Sequence, residues 1–205
     1  ILNVVVVDSK TSNHDYISYE DFLEQAEPNE QWPEIDENQS AALCFTSGTT
    51  GRPKGVYYSH RSLVLHSLAI GLTDGWGICE ADVVLPVVPM FHANCWGLPY
   101  ASLMLGADLV LPGPNPTSEV LLELANEYRV TFGAAVPTVW LGVLETLEDR
   151  EFDLSSFRLA IIGGAPTPDG LIGDLAEPIS AQDASTKAYA DSVSGADQAS
   201  ASATS

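Results

Sequence analysis

The chain has 205 residues, 45% of them hydrophobic, enough to bury a core in one large domain or in part of one. Its 8 basic residues face 28 acidic ones, a formal net charge of -20. That balance argues against a protein that tracks a nucleic-acid backbone, which needs a positive patch to displace counterions, and reads instead as a solvated acidic surface.

Cys44, Cys79 and Cys95 are odd in number and lack CxxC or Cys/His metal spacing, so free thiols are expected rather than a disulfide framework or a zinc site. Nothing resembles a signal peptide. The longest apolar helix candidate, around Leu63 to Leu72, is too short for a transmembrane segment. The expectation is a soluble protein of a reducing compartment, the cytoplasm.

In chain order, the β-branched run Ile1 to Val7 reads as a buried strand that starts without a Met, so residue 1 is taken as a cut site. Ser18-Tyr-Glu-Asp21 predicts a cap and acidic first turn for a short helix through about Ala26. Glu27, Glu30, Glu34, Asp36 and Glu37, set around Pro28 and Pro33, predict a solvated connection to residue 40. Ala41 to Phe45 is a strand, Val56 to Tyr58 its return partner, and Ser59 caps a helix carrying Leu63, Leu65, His66, Ile70 and Leu72. Strands at Val83 to Val88, Asp108 to Leu111, Thr131 to Val136 and Arg158 to Ile162 then alternate with helices. Those helices run from about Cys95 to Leu105, Glu119 to Tyr128 and Pro137 to Leu147. Alternation with continuously apolar strands predicts an α/β fold with a largely parallel sheet and flanking helices. From about Asp169 the composition shifts to Ala, Ser, Asp and Thr, and residues 167–205 are expected to be a disordered tail.

Between the strand at Ala41 to Phe45 and its return partner at Val56 to Tyr58 lies Thr46-Ser-Gly-Thr-Thr-Gly-Arg-Pro-Lys-Gly55. Gly48, Gly51 and Gly55 let the backbone approach a ligand, Thr46, Ser47, Thr49 and Thr50 bring hydroxyls, and Lys54 adds a compact positive charge; together they suit a nucleotide triphosphate. By composition alone the loop reads equally as a surface turn. It departs from the Walker A pattern, because Pro53 precedes Lys54 where that motif has glycine. His92 beside Met90 and Phe91, and Trp96, fit ordinary core positions, and Gly163-Gly164 fits a turn after a strand. The same two glycines follow the carboxyl end of the strand ending at Ile162, where open parallel sheets bind ligands.

The loop resembles the phosphate loop of the adenylate-forming superfamily of acyl-CoA synthetases, luciferases and adenylation domains. Pro89-Met-Phe-His-Ala-Asn-Cys-Trp-Gly-Leu-Pro99 is similar to that family's segment entering the acyl pocket, and Gly163-Gly-Ala-Pro166 to the turn that packs on adenine. Tyr58 to Ser62 and Val83 to His92 are most similar to medium- and long-chain fatty-acid-CoA ligases. The resemblance implies that residues 1–166 are part of the large N-terminal AMP-binding domain of such an enzyme. It implies small-molecule substrates: ATP and a fatty acid give an acyl-adenylate, which coenzyme A then converts to a thioester.

By the same resemblance, Thr46, Ser47, Gly48, Thr49, Thr50, Gly51 and Lys54 hold the phosphates, and Thr46 contacts Mg2+ (magnesium). Gly163, Gly164 and Ala165 face the adenine. His92 positions the reacting carboxylate, with Lys54 beside the departing pyrophosphate, while Ala93, Trp96 and Gly97 wall the acyl chain. Phe91 followed by His92, rather than by an acidic residue, disfavours an α-amino acid substrate. His14, His60 and His66 gain no support and are read as structural or exposed. A fatty substrate would allow peripheral membrane association. The family's Tyr-Gly-x-Thr-Glu motif and C-terminal lysine do not occur after Pro166, which predicts a truncated or frame-shifted chain without turnover of its own. An inactive nucleotide-binding remnant and a ligase for another acid, such as an aryl acid, stay open as alternatives.

Overall fold

A computed structural model of the chain describes residues 5–6, 17–27, 31–46 and 53–180. The expectations for Ser47, Gly48, Thr49, Thr50 and Gly51, for most of the strand at Ile1 to Val7, and for residues 181–205 lie outside the described residues. Two compact units divide the chain, residues 1–36 and 37–205.

In the first unit, β1 (Val5–Val6) pairs in parallel with β2 (Ile17–Ser18). Ser18 then does what its residue type favours at a helix start: its Oγ accepts from the Asp21 backbone N–H at 3.1 Å and caps α1 (Tyr19–Glu24). Glu20 and Asp21 place negative charge on the positive end of that helix.

The second unit begins with an antiparallel hairpin, β3 (Ser40–Thr46) and β4 (Lys54–Ser59), whose register sets Thr46 opposite Lys54. Ser59 caps α2 (His60–Gly71), its Oγ accepting from Ser62 N–H at 3.1 Å. The chain continues through β5 (Val83–Pro86), α3 (Ala93–Trp96), α4 (Leu98–Leu105), β6 (Asp108–Leu109), α5 (Ser118–Glu127), β7 (Phe132–Ala135), α6 (Pro137–Asp149), β8 (Leu159–Ile162) and α7 (Leu171–Ser180). The last four strands form one parallel sheet in the order β6-β5-β7-β8, as the alternation predicted.

Both faces of this sheet are covered, which is why its strands lack a polar side. Val84, Phe132 and Ala134 pack with Ile70, Leu98 and Ala101 under α2 and α4. Their strand neighbours Leu85 and Ala135 point the other way, into a cluster with Leu121, Trp140, Val143 and Phe157 under α5 and α6. Full burial of a side chain such as Phe132 stabilises by about 1.5–3 kcal/mol. Gly133 sits where a Cβ would come within 2.5 Å of the Phe157 ring and 2.9 Å of Trp140, so its missing side chain lets the two aromatic rings meet edge to face over β7.

At the N-terminal ends of the strands a polar network ties three elements together. Asp82, only 3% exposed, accepts from Arg158 Nε at 2.7 Å and Nη2 at 2.6 Å, from Thr131 Oγ1 at 2.7 Å and from Cys79 N–H at 3.0 Å. Arg158 also donates to the Gly77 carbonyl at 3.1 Å. Burial works to raise the Asp82 pKa, but the Arg158, Thr131 and Cys79 hydrogen bonds overcome it and hold the carboxylate below its ordinary value.

Two expectations are corrected. The helix expected from Cys95 begins at Leu98, because Ala93 to Trp96 form a left-handed turn and Gly97 (φ +75°) caps the new helix. The tail expected to be disordered from residue 167 contains α7, whose Leu171 and Leu175, four apart, are 1% and 6% exposed in the core beside Trp140. That spacing buries one helix face despite the Ala- and Ser-rich composition beyond it.

Candidate functional site

The candidate site lies at the opposite, carboxyl-end edge of the same sheet. Its sheet-derived wall is the end of β8, the edge strand of the order β6-β5-β7-β8. An open cleft of about 710 Å3 occupies this edge, a size suited to a nucleotide or acyl ligand. Tyr58, Ser62, Leu63 and His66 line it from β4 and α2, Trp76 from the following turn, and Ala93, Asn94, Trp96 and Gly97 from α3. Ile161, Ile162, Gly163 and Gly164 complete it from the end of β8.

The α3 turn is conformationally costly. Ala93, Asn94, Cys95 and Trp96 have φ of 45°, 52°, 55° and 54°, the left-handed region, which costs a non-glycine residue roughly 1–2 kcal/mol. Side chains from three directions hold it. Cys95 Sγ donates to the Val88 carbonyl at 2.8 Å, Cys44 Sγ from β3 donates to Asn94 Oδ1 at 3.3 Å, and His66 Nε2 lies 2.9 Å from the Trp96 carbonyl. A carbonyl only accepts, so His66 carries its proton on Nε2 in that contact. Cys95 is fully buried, and burial pushes its thiol up to about 11, which keeps it protonated and able to donate.

The turn aims Trp96 across the cleft. A Cβ on Gly163 would lie 3.1 Å from Trp96 Cη2, and one on Gly164 (φ +81°) would lie 3.6 Å from Trp96 Cζ2 and 3.3 Å from Val136 Cγ1. Any side chain at Gly163 therefore presses on the indole. The flat ring seated against this bare backbone is the Trp96 indole itself.

The sequence-derived site residues divide into three groups. Ala93, Trp96, Gly97, Gly163 and Gly164, drawn from two distant motifs, meet on the cleft. Thr46 and Lys54 meet across the hairpin register, at the two ends of the loop. His92 and Ala165 flank the lining residues without joining them, and the His92 side chain is exposed rather than in the core. Phe91 and Met90 beside it are likewise exposed, at 81% and 48%.

Sequence reasoning missed His66, Tyr58, Ser62 and Trp76. The available signal was the spacing of Ser62 and His66, which at four apart share one face of α2.

A second void of about 40 Å3 sits inside the core among Leu85, Leu121, Trp140, Val143 and Phe157. Its apolar lining offers nothing to orient a ligand. Among the described residues no group of three or more His, Cys, Asp or Glu could hold a metal ion, and no helix is long and apolar enough to cross a membrane.

Residues 2–181 match the family model described as AMP-binding enzyme, past the boundary expected at residue 166. The chain is 47% identical over 157 residues to the 3-methylmercaptopropionyl-CoA ligase of Ruegeria pomeroyi, covering 77% of this chain and 29% of that one. It is 47% identical over 173 residues to the long-chain-fatty-acid–CoA ligase of Thermus thermophilus, covering 84% of this chain and 31% of the relative. The chain thus spans less than a third of the length of these curated relatives. Among solved structures, the inhibitor-bound N-terminal domain of FACL13 from Mycobacterium tuberculosis superposes with a TM-score of 0.70 at 30% identity, over 80% of this chain and 41% of that one.

Proposed function

Because the chain belongs to the AMP-binding enzyme family, we propose that it carries the nucleotide- and acyl-binding cleft of an acid–thiol ligase that activates a fatty acid with ATP and passes it to coenzyme A. The observation that carries this reading is the meeting of Ala93, Trp96 and Gly97 with Gly163 and Gly164 on one cleft at the carboxyl edge of a parallel sheet. The fatty-acid and acyl-CoA ligases among the similar proteins support the choice of acid and thiol.

In this reading the adenine stacks at Gly163, Gly164 and Ala165, and a slender acyl chain runs along Trp96, Ala93, Gly97, Leu63 and Trp76. The fatty carboxylate attacks the α-phosphorus, an acyl–phosphate bond forms, and pyrophosphate leaves. Lys54 and the residues Ser47 to Gly51 hold the departing charge, so catalysis is mainly positioning and electrostatic stabilisation. His92, next to the lining residues, orients the carboxylate. The thiol of coenzyme A then displaces AMP.

Mg2+ bound with the triphosphate would supply charge neutralisation. Thr46, a hydroxyl-bearing residue at the end of β3, would hold it through a hard oxygen donor. A cytoplasmic location, with peripheral membrane contact to receive the fatty substrate, belongs to the same reading.

Calorimetry with AMP and with a dodecanoyl sulfamoyl-adenosine, a stable acyl-adenylate mimic, tests the proposal on the 205-residue chain. The mimic should bind at least tenfold more tightly than AMP, since its chain buries apolar area in the cleft. Equal affinities would remove the acyl site, and absence of any AMP binding would remove the whole reading. ATP–pyrophosphate exchange with fatty and aryl acids separates a working ligase from a nucleotide-binding remnant: acid-dependent exchange supports the ligase, binding without exchange the remnant.

A further inference from the structure

We infer that His66 is a positioning residue for Trp96 and thereby sets the width of the cleft at Gly163, a role that rests on the reading of the cleft as an acyl-adenylate site. The turn that presents Trp96 has four consecutive non-glycine residues at positive φ, and such a turn needs external ties to persist. Cys95 and Cys44 tie its middle through thiols, which are weak donors. His66 instead gives an N–H to the carbonyl of Trp96 itself, at 2.9 Å.

Gly97 shows how closely the two are fitted. A Cβ there would run into the His66 ring, so the imidazole lies over the one residue of the turn that has no side chain. The ring therefore packs directly on the backbone that follows Trp96. Trp96 in turn has its indole edge against the Gly163 position, where an added Cβ would sit 3.1 Å away. A shift of the Trp96 backbone therefore moves the wall between the α2 side and the β8 side of the cleft.

Chemically the tether is insensitive to the charge of the ring. An imidazole with its proton on Nε2 and an imidazolium both donate from that atom. His66 also lines the cleft, so a bound acyl chain would pass beside the residue that fixes its wall.

Fluorine NMR of the 205-residue chain labelled with 5-fluorotryptophan tests the inference. The four tryptophans give separate reporters, with Trp96 assigned by W96F. Trp140 serves as the internal control, because it packs under the opposite sheet face.

In H66A the Trp96 resonance should shift or broaden while the Trp140 resonance stays. H66Q, which keeps an N–H donor, should return Trp96 toward its original position. By calorimetry, H66A should weaken the dodecanoyl sulfamoyl-adenosine about tenfold and AMP no more than about twofold.

An unmoved Trp96 resonance in H66A overturns the inference. So does equal displacement in H66A and H66Q, which would deny the hydrogen bond its role, and so does displacement of Trp96 and Trp140 together, which marks a general structural effect. If the unsubstituted chain binds neither probe, the functional proposal fails while the Trp96 resonance still decides the role of His66. If both probes bind and the resonance stays put, His66 alone fails.

Discussion

The two edges of the parallel sheet are made from the same strands and solve opposite problems. At the N-terminal edge Asp82, Thr131 and Arg158, each immediately before a strand, close into a network that leaves the carboxylate 3% exposed. At the carboxyl edge the same strands end in Pro86, Ala135 and Ile162, and the chain leaves them for a left-handed turn, two adjacent glycines and a cleft of about 710 Å3. One edge uses its polar groups on itself. The other is held open by ties from Cys95 and Cys44, behind the lining, and from His66, which is part of it. Rigidity at one end of the strands thus lets the other end keep space for a ligand.

The largest expected effect tests the closed edge. D82A removes the carboxylate paired with the partly buried Arg158 and should lower stability by on the order of 3 kcal/mol in urea denaturation, with AMP affinity unchanged within about twofold. A loss below about 0.5 kcal/mol would mean the network does not hold the edge. The same carboxylate governs acid behaviour. Its folded pKa is depressed, so its stabilisation is present above the unfolded value of about 3.9 and lost as pH falls through the lower folded value, and D82N should flatten that acid limb.

Next comes the alkaline limb, which belongs to the open edge. The Cys95 thiol is raised from 9.0 to about 11, so the stabilisation it provides is intact below pH 9 and lost as pH rises toward 11, on the order of 2 kcal/mol. Equilibrium unfolding of the wild-type chain and C95S between pH 8 and 11, about the span of this titration, should show a shallower slope in the variant. Parallel slopes would refute the assignment. The two edges then fail at opposite ends of the pH scale.

The smallest effect separates ligand binding from folding. G163A adds a Cβ 3.1 Å from Trp96 in an otherwise ordinary backbone conformation, so the indole must give way by a few tenths of an ångström. AMP affinity should fall about tenfold, roughly 1.4 kcal/mol, while thermal unfolding moves by less than about 2 °C. A drop in thermal stability with intact binding would show that Gly163 serves packing alone.

The sequence announced the strands because apolar runs buried on both faces leave few alternatives: Val83 to Pro86 and Phe132 to Ala135 are both buried or nearly so. Caps were equally plain, with Ser18 and Ser59 bonding three residues ahead. The left-handed turn was invisible, since Ala93, Asn94, Cys95 and Trp96 carry no glycine, and only tertiary ties make that backbone tolerable. His66 was counted with the apolar face of α2 because its partner, the Trp96 carbonyl, is 30 residues away. Arg158 and Asp82 are 76 residues apart, and no local pattern joins them. Helix α7 was lost in the average composition of the residues after it, although Leu171 and Leu175 bear the spacing of a buried stripe. Resemblance located the glycine pair and the Trp96 segment; folding explained why they face each other.

The register of the β3–β4 hairpin has a consequence for how this region can vary. Thr46 opposite Lys54 closes the ladder of the ribbon, and the pairing runs on from there to Ser40 opposite Ser59. Side chains alternate faces along a strand, so one added residue between Gly55 and Ser59 would carry Lys54 to the reverse side of the ribbon. The two strands of this ribbon should therefore tolerate added residues only in pairs.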